Sequence, residues 1–177
     1  MTVHPLRLAL LVRTTEPGSF GTVVADWFRR QIEQRDDFKL DLVDLARTPL
    51  ESLAPRIAEA DAVVVISPEY NHAYPGEIKL AIDAVREPWY AKPVAFIVYG
   101  GRSGGLRAAE QLRLVFAELH AVTIRETLSF HQAPHCFTPT GEPVDPATFL
   151  AAATLLNHLS WWSRALRDAR ATTPYPA

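Results

Sequence analysis

The chain has 177 residues, of which 48% are hydrophobic and 21% are charged, and its formal net charge is −2. This size and composition predict one globular domain over residues 1–177, long enough to bury a substantial core. Because the 18 lysine and arginine residues are spread along the chain, we exclude the basic field that would hold nucleic acid or an anionic membrane.

Apolar runs and helical periodicities alternate from one end of the chain to the other. Five strands are predicted, at 6–12, 38–42, 62–66, 93–99 and 121–130. The strand at 38–42 alternates apolar and polar residues, which predicts a half-exposed position at the edge of a sheet. Several of the others are continuous apolar runs, as expected for parallel strands that are covered on both faces.

Amphipathic spacing predicts the helices that follow these strands. They are expected at 22–35, 55–60, 77–85 and 106–119, before a long last helix. Asp145 is expected to cap the last helix, with Pro146 at its first position. Trp161 and Trp162 in this helix are adjacent and cannot share one face. We therefore expect one of them in the core and the other at a subunit contact or exposed.

The alternation of strands and helices predicts a three-layer α/β fold, with a parallel five-stranded sheet between helices. In such a sheet, ligands bind at the carboxyl ends of the strands. Three loops that follow apolar strands have unusual compositions. We name them the first loop (residues 13–21), the second loop (67–76) and the third loop (99–108).

The first loop has hydroxyl groups and two glycines ahead of a predicted helix. The free N–H groups and the dipole of a helix N-terminus favour a phosphate. The candidate ligand-binding residues are Arg13, Thr14, Ser19, Phe20 and Gly21. The loop has neither the Rossmann glycine spacing nor a P-loop. A plain strand-to-helix turn with a capping residue is the alternative interpretation.

The second loop packs two prolines, two tyrosines, an asparagine and a glycine into ten residues. These residues favour a stiff, non-helical segment with aromatic faces and amide groups, against which a flat heterocycle can lie. Its candidate residues are Pro68, Glu69, Tyr70 and Asn71. Glu69 is expected to have a structural capping role and not a catalytic one. An ordinary turn rich in turn-forming residues is the alternative.

The third loop has four glycines within residues 100–105. Glycine tolerates positive φ and lets main-chain N–H groups approach a ligand closely. The candidate residues are Tyr99, Gly100, Gly101, Arg102 and Gly104. A glycine-rich loop alone is a weak signal, and its place directly after an apolar strand strengthens it.

Two of these loops resemble the NAD(P)H-dependent FMN reductase family. Pro-Glu-Tyr-Asn stands at 68–71, and Ser-Gly-Gly-Leu-Arg-Ala stands at 103–108. The resemblance covers about residues 6–130. It implies a flavodoxin-like fold with strand order 2-1-3-4-5, and it implies FMN as the cofactor.

The resemblance also implies how the flavin is held and used. The second loop would support the isoalloxazine ring, and N–H groups of the third loop would reach its pyrimidine edge. Arg102 would contact that edge or a nucleotide phosphate. NADPH or NADH would supply hydride, and the reduced ring would pass it to free flavin, a quinone, an azo compound or a metal oxyanion. Because the flavin carries this chemistry, we assign no protein general acid or base. Proteins with this fold often form dimers or tetramers, so a homodimer or homotetramer is expected.

The chain departs from the family pattern in the first loop and in the third helix. Glu16 stands where the family has arginine, and a carboxylate repels a phosphate, although Arg13 can supply positive charge from another direction. Leu80 stands where many members have asparagine. One alternative function is a degenerate member that has lost FMN. Another is a non-catalytic flavin carrier, but the loops lack the acidic cluster expected of a docking electron carrier.

A single cysteine, Cys136, excludes an internal disulfide and predicts a reducing compartment. Residues 1–7 lack the layout of a secretory signal, and no apolar run approaches the length of a membrane span. We therefore expect a cytoplasmic protein. His131, His135 and Cys136 are closely spaced metal donors, but neither a fourth ligand nor a Cys-x-x-Cys pair accompanies them, so we predict no metal.

Overall fold

The computed structural model of the protein describes residues 4–13 and 18–176. Thr14 and Glu16 of the first loop therefore lie outside the described residues. Within these residues, five parallel strands form one sheet in the order β2-β1-β3-β4-β5, as predicted. The strands are β1 Leu6–Val12, β2 Phe38–Asp44, β3 Ala62–Pro68, β4 Pro93–Tyr99 and β5 Val122–Phe130.

Helices cover both faces of the sheet, which confirms the three-layer α/β prediction. They are α1 Phe20–Glu33, α2 Leu53–Glu59, α3 Gly76–Asp83, α4 Leu106–Glu118 and α5 Ala147–Thr172. Helices α1 and α5 share one buried cluster with the sheet, and α2, α3 and α4 share the other. In the described part of the chain, no helix combines the length and the apolar character that a membrane crossing requires.

The position of each strand in the sheet explains its composition. Every residue of β3 is buried, because its neighbours cover its edges and helices cover both faces. Strand β2 lies at one edge and keeps exposed polar residues such as Lys39 between buried residues such as Phe38 and Val43. The predicted half-exposed edge strand is thus confirmed.

Several elements begin or end away from their predicted bounds, for reasons that lie in their contacts. Strand β3 continues to Pro68 because Pro68 still pairs in register with Tyr99 of β4. Helix α1 begins at Phe20, directly after Ser19, which has an extended backbone. Helix α5 begins at Ala147, one residue later than predicted. Asp145 Oδ1 nevertheless accepts a hydrogen bond from the Ala147 N–H at 2.9 Å.

The expectation that one of the two adjacent tryptophans packs in the core is wrong. Trp161 is 64% exposed and Trp162 is 36% exposed. Their rings pack edge to face against each other, with centroids 5.1 Å apart. The face of α5 that meets the sheet carries Leu159 and Ser163, and this four-residue spacing leaves both tryptophans outside it.

Candidate functional site

The three loops meet at one edge of the sheet, because they follow three neighbouring strands. Strands β1, β3 and β4 are adjacent and parallel, so their carboxyl ends lie side by side. The first loop leaves β1, the second leaves β3 and the third leaves β4. The candidate residues of all three loops are thereby brought together, except for Thr14, which lies outside the described residues.

The first loop leads into the amino terminus of α1. The first N–H groups of a helix have no acceptor within the helix, and here they belong to residues around Phe20 and Gly21. Ser19 Oγ lies 3.0 Å from Thr22 Oγ1, so two hydroxyl groups stand beside these N–H groups. This end of α1 therefore has the donors that an anionic group requires.

Gly21 allows Tyr99 to lie over the start of α1. A Cβ atom at position 21 would stand only 2.7 Å from the Tyr99 hydroxyl. The ring of Tyr99 also packs edge to face against Phe20, at 5.0 Å between centroids. Burial, and to a lesser degree the nearby Tyr70, raise the pKa of the Tyr99 phenol well above its ordinary value. Tyr99 thus presents a neutral hydroxyl between the first and third loops.

Arg13 is directed towards α3. Its guanidinium lies 3.1 Å from Glu77 Oε1 in the first turn of that helix. The pair links the end of β1 to the end of the second loop. Because Glu77 offsets part of the positive charge of Arg13, the pair reduces the attraction that Arg13 offers to an anion at the first loop.

The second loop is a tight β-hairpin and not an open turn. Tyr70 and Ala73 exchange two backbone hydrogen bonds, of 2.8 Å and 3.1 Å. The two residues between them, Asn71 and His72, both have positive φ, at 51° and 77°. Two left-handed residues in a two-residue hairpin define a type I′ turn, in which asparagine is favoured. Tyr70 is 54% exposed beside this turn, so its ring is available to a flat ligand.

Glu69 connects the second loop to α4. Its side chain is only 7% exposed, and Oε1 lies 3.5 Å from the Arg107 guanidinium. Oε2 accepts a hydrogen bond from the Arg107 N–H at 3.1 Å, in the first turn of α4. The predicted capping role of Glu69 is therefore seen, but for α4 and not for the helix that follows in sequence. Gln111 of α4 adds a second connection by donating to the His72 carbonyl at 2.7 Å.

The carbonyl groups of the third loop are turned towards β5 and the segment after it. Four of them accept hydrogen bonds from residues 129–133. The pairs are Ala133 N–H to Gly100 O at 3.1 Å, Gln132 N–H to Gly101 O at 2.9 Å, His131 Nδ1 to Arg102 O at 2.9 Å, and Ser129 Oγ to Gly104 O at 2.9 Å.

This arrangement directs other N–H groups of the third loop away from β5. In a trans peptide, the N–H of one residue points away from the C=O of the residue before it. The N–H groups of Gly101, Arg102 and Ser103 therefore point away from β5. Among the described residues, no acceptor receives any of these three N–H groups. No described atom lies within 4 Å of the place where a Cβ of Gly101 would stand, so a ligand can approach there.

Gly104 is needed for the close contact between the third loop and β5. It has a φ of +62°, in the left-handed region. A Cβ atom there would lie 2.5 Å from Ser129 Oγ and 2.6 Å from the His131 ring. Any larger residue would push the loop away from the groups that hold its carbonyls.

The sequence alone does not identify the residues that hold the three loops in place. Ser129, Arg107 and Gln111 carry no motif that marks their partners. The sequence presents His131 only as a possible metal donor, together with His135 and Cys136. Among residues 4–13 and 18–176, no group of three metal-binding side chains is arranged to hold an ion. Cys136 instead donates to the His131 carbonyl at 2.9 Å, and burial raises the pKa of its thiol.

The candidate site is an open surface formed by loops, and a more enclosed groove lies elsewhere. A groove of about 410 Å³ is bounded by β1, β2 and α2. Two ion pairs line it, Arg7 with Glu59 and Arg56 with Asp41. Lys39 also lines this groove, but the groove contacts none of the three loops and is therefore separate from the candidate site.

Comparison with known proteins identifies a family, and it gives relatives in sequence and in structure, of which three are described. The model of the family described as NADPH-dependent FMN reductase matches residues 6–135. An NADPH:quinone oxidoreductase of Arabidopsis thaliana is 38% identical over 105 residues, covering 56% of this chain and 54% of that protein. An FMN-dependent NADPH-azoreductase of Staphylococcus saprophyticus is 27% identical over 145 residues, covering 69% of this chain and 75% of that protein.

A solved structure extends the likeness over nearly the whole fold. The flavoenzyme NAD(P)H:(acceptor) oxidoreductase of Paracoccus denitrificans superposes with a TM-score of 0.72 at 22% identity. The superposition covers 90% of this chain and 98% of that one. At this identity, the likeness shows a shared fold. In sequence, the chain spans about half the length of the Arabidopsis protein and of other curated relatives that it matches.

Proposed function

Because this chain belongs to the NADPH-dependent FMN reductase family, we propose that it binds FMN and transfers hydride from NADPH or NADH to a small-molecule acceptor. The observation that carries the proposal is the direction of the third loop. Its carbonyls are held towards β5, and the N–H groups of Gly101, Arg102 and Ser103 face outwards. Outward N–H groups beside an exposed aromatic ring and a helix N-terminus fit a flat heterocycle that carries a phosphate.

Each loop then holds a different part of FMN. Ser19, Phe20 and Gly21 at the start of α1 would hold the phosphate, and Arg13 and Thr14, which precede them in the first loop, are the further candidates. Tyr70 and Asn71 of the hairpin, next to Pro68 and Glu69, would support the ring. Gly100, Gly101, Arg102 and Gly104 would place N–H groups at its pyrimidine edge, with Tyr99 between the two ends. When bound, FMN accepts hydride at N5 from nicotinamide C4 and passes electrons to the acceptor.

The residues of the chain would bind and orient, and would not transfer protons. The Glu69 carboxylate is engaged with Arg107. The Tyr99 phenol is held neutral by burial. If FMN lies with its pyrimidine edge at the third loop, the fixed N–H groups there would stabilise negative charge without reorganising and would favour reduction of the ring. A general acid or base is therefore not assigned.

Quinones and azo compounds are the proposed acceptors. The names of the Arabidopsis and Staphylococcus relatives support these two classes. Free flavin and metal oxyanions remain further candidates.

We also propose that residues 1–177 form a single domain that contains the flavin site. The protein is further proposed to be a cytoplasmic homodimer or homotetramer. Exposed Leu80 on α3 and Leu114 on α4 offer apolar contacts for a second copy.

The test is the visible spectrum of purified protein that is mixed with FMN, gel-filtered and then treated anaerobically with NADPH. We expect a retained flavin band that bleaches on addition of NADPH. A retained band that neither NADPH nor NADH bleaches would support the flavin carrier. Absence of retained flavin, together with no NADPH oxidation in the presence of excess free FMN, would support the degenerate member.

A further inference from the structure

We propose that His131 is a positioning residue that holds the third loop with its N–H groups facing the flavin. The proposal rests on the proposed function, since it concerns the same binding site. His131 follows β5, and its ring contacts Arg102 of the third loop and Ser129 of β5. Its Nδ1 lies 2.9 Å from the Arg102 carbonyl, and its Nε2 lies 3.2 Å from Ser129 Oγ.

The partners of the ring determine which nitrogen carries a proton. A carbonyl oxygen only accepts hydrogen bonds, so Nδ1 is the protonated nitrogen and donates to Arg102. Ser129 donates to the Gly104 carbonyl at 2.9 Å. Ser129 has one hydroxyl proton and gives it to Gly104, so His131 holds the turn through its Nδ1 hydrogen bond to Arg102, and its Nε2 only lies beside Ser129.

The Arg102 carbonyl, like that of Gly104, differs from the carbonyls of Gly100 and Gly101 in the kind of donor that holds it. Gly100 and Gly101 accept from the backbone N–H groups of residues 133 and 132, which side-chain substitution leaves in place. Arg102 accepts from a side chain. The direction of the peptide between Arg102 and Ser103 thus depends on the side chain of His131.

The direction of this peptide matters for the ligand. While the Arg102 carbonyl faces His131, the Ser103 N–H faces outwards. The peptide between Arg102 and Ser103 is the central peptide of the turn that the Gly104 N–H closes on the Gly101 carbonyl, and the orientation of this peptide is what distinguishes the two common turn types. Without the Nδ1 donor the peptide can turn, and an outward carbonyl would then repel the pyrimidine carbonyls of the flavin.

The backbone that carries His131 is held independently of its ring. Cys136 donates to the His131 carbonyl at 2.9 Å, and the His135 N–H donates to the Gln132 carbonyl at 2.9 Å. Substitution of the ring should therefore change the third loop and leave the segment after β5 in place. Because His131 is exposed, we expect an effect at the size of one solvent-accessible hydrogen bond, about fivefold in affinity.

The experiment compares three variants with the wild type. His131→Phe keeps a ring against Gly104 and removes both nitrogens. His131→Asn keeps an N–H donor close to the position of Nδ1. His135→Phe is the matched control, because it makes the same substitution on the same segment, at an exposed histidine. Dissociation constants are measured for FMN and for riboflavin, which shares the ring and lacks the phosphate.

We expect His131→Phe to bind both flavins about fivefold more weakly, His131→Asn to recover most of the loss, and His135→Phe to match the wild type. An equal loss for FMN and riboflavin places the effect at the ring and not at the phosphate. If His131→Phe binds as tightly as the wild type, or if His131→Asn is as weak as His131→Phe, the positioning role is overturned.

Hydrogen exchange in the flavin-free protein separates this inference from the proposed function. The Gly104 N–H donates within the loop to the Gly101 carbonyl, and we expect it to exchange faster in His131→Phe than in His135→Phe. Unchanged exchange would overturn the inference even if the wild type binds FMN. Faster exchange in a protein whose wild type binds neither flavin would refute the proposed function, and with it the role of His131 towards flavin.

Discussion

Polar groups are arranged in opposite ways at the two ends of the sheet. At the amino end, Lys92 precedes β4 and is only 3% exposed. Its Nζ donates to the carbonyls of Ala58 and Ala60 at the end of α2. Arg170 of α5 donates to the Ala91 carbonyl beside it. The donors at this end are therefore directed to acceptors within the protein.

At the carboxyl end, carbonyl groups of the third loop have hydrogen-bond donors, whereas three of its N–H groups have no acceptor among the described residues. The carbonyls of the third loop are held by residues 129–133, while the N–H groups of Gly101, Arg102 and Ser103 point outwards. Polar groups that are hydrogen-bonded within the protein stabilise the fold, whereas N–H donors without a partner suit a ligand that carries hydrogen-bond acceptors. We therefore expect the polar contacts of the amino end to contribute to stability and the free donors of the carboxyl end to contribute to binding.

The largest expected effect concerns the amino end and the pH dependence of stability. Burial, and next the charge of Arg170, lower the pKa of Lys92 from 10.5 to about 8, against an opposing effect of Asp61. Between these pH values the unfolded chain keeps a proton that the folded chain has lost, so the contribution of Lys92 to stability rises with pH. A shift of this size corresponds to about 3 kcal/mol.

The measurement is urea unfolding of the wild type and Lys92→Met at pH 7.5, 9 and 10.5. The free energy of unfolding of the wild type, relative to the variant, should increase across this range, while FMN affinity at pH 7.5 stays the same in both. A difference that is flat or falls with pH would contradict the prediction. A large loss of FMN affinity in folded Lys92→Met would show that the amino end of the sheet also contributes to binding.

The next effect concerns the contact between the first and third loops. Gly21→Ala should weaken FMN binding about tenfold or more, because the new Cβ displaces the Tyr99 hydroxyl from the start of α1. Titration of the flavin absorbance measures it. Gly76→Ala is the matched control, since it also lies at a helix start and no described atom stands within 4 Å of its Cβ position. Equal affinities in the two variants would refute the steric argument.

Glu69 tests whether the second loop needs its connection to α4. Glu69→Ala removes the carboxylate that accepts from the Arg107 N–H, and loss of such a cap costs about 1–2 kcal/mol of unfolding free energy. We expect Glu69→Gln to lose less, because its amide oxygen still accepts, and exposed Glu110→Ala on the same helix to lose nothing measurable. Chemical denaturation gives these values. Similar stabilities for Glu69→Ala and Glu110→Ala would show that the cap is not important.

The smallest effect concerns the charge near the first loop. Glu77→Gln removes the carboxylate that pairs with Arg13, so the guanidinium becomes available to an anion. Partly exposed pairs of this kind are worth less than about 1 kcal/mol, and we expect FMN to bind two- to threefold more tightly. Riboflavin lacks the phosphate and should bind unchanged. Equal tightening of both flavins would place Arg13 at the ring instead.

Much of the fold was predictable, because its signals are local. The continuous apolar runs at 62–66 and 93–99 became the central strands, and the alternating run at 38–42 became an edge strand. The family motif at 68–71 and the glycines at 100–105 marked two of the three loops. Each of these signals depends on neighbouring residues in sequence, which is why the strands could be predicted, while the binding role of the two loops stays a prediction.

Local sequence patterns were enough to predict which segments form strands and helices and where polar loops interrupt them, since strands covered on both faces need continuous apolar runs and amphipathic helices need a period of 3.6 residues. The tertiary structure decided the partners. Glu69 caps α4, Arg13 pairs with Glu77, and His131 holds the Arg102 carbonyl. These contacts join residues that are distant in sequence, and their geometry follows from the order of the strands and the packing of the helices, which residue periodicity does not encode.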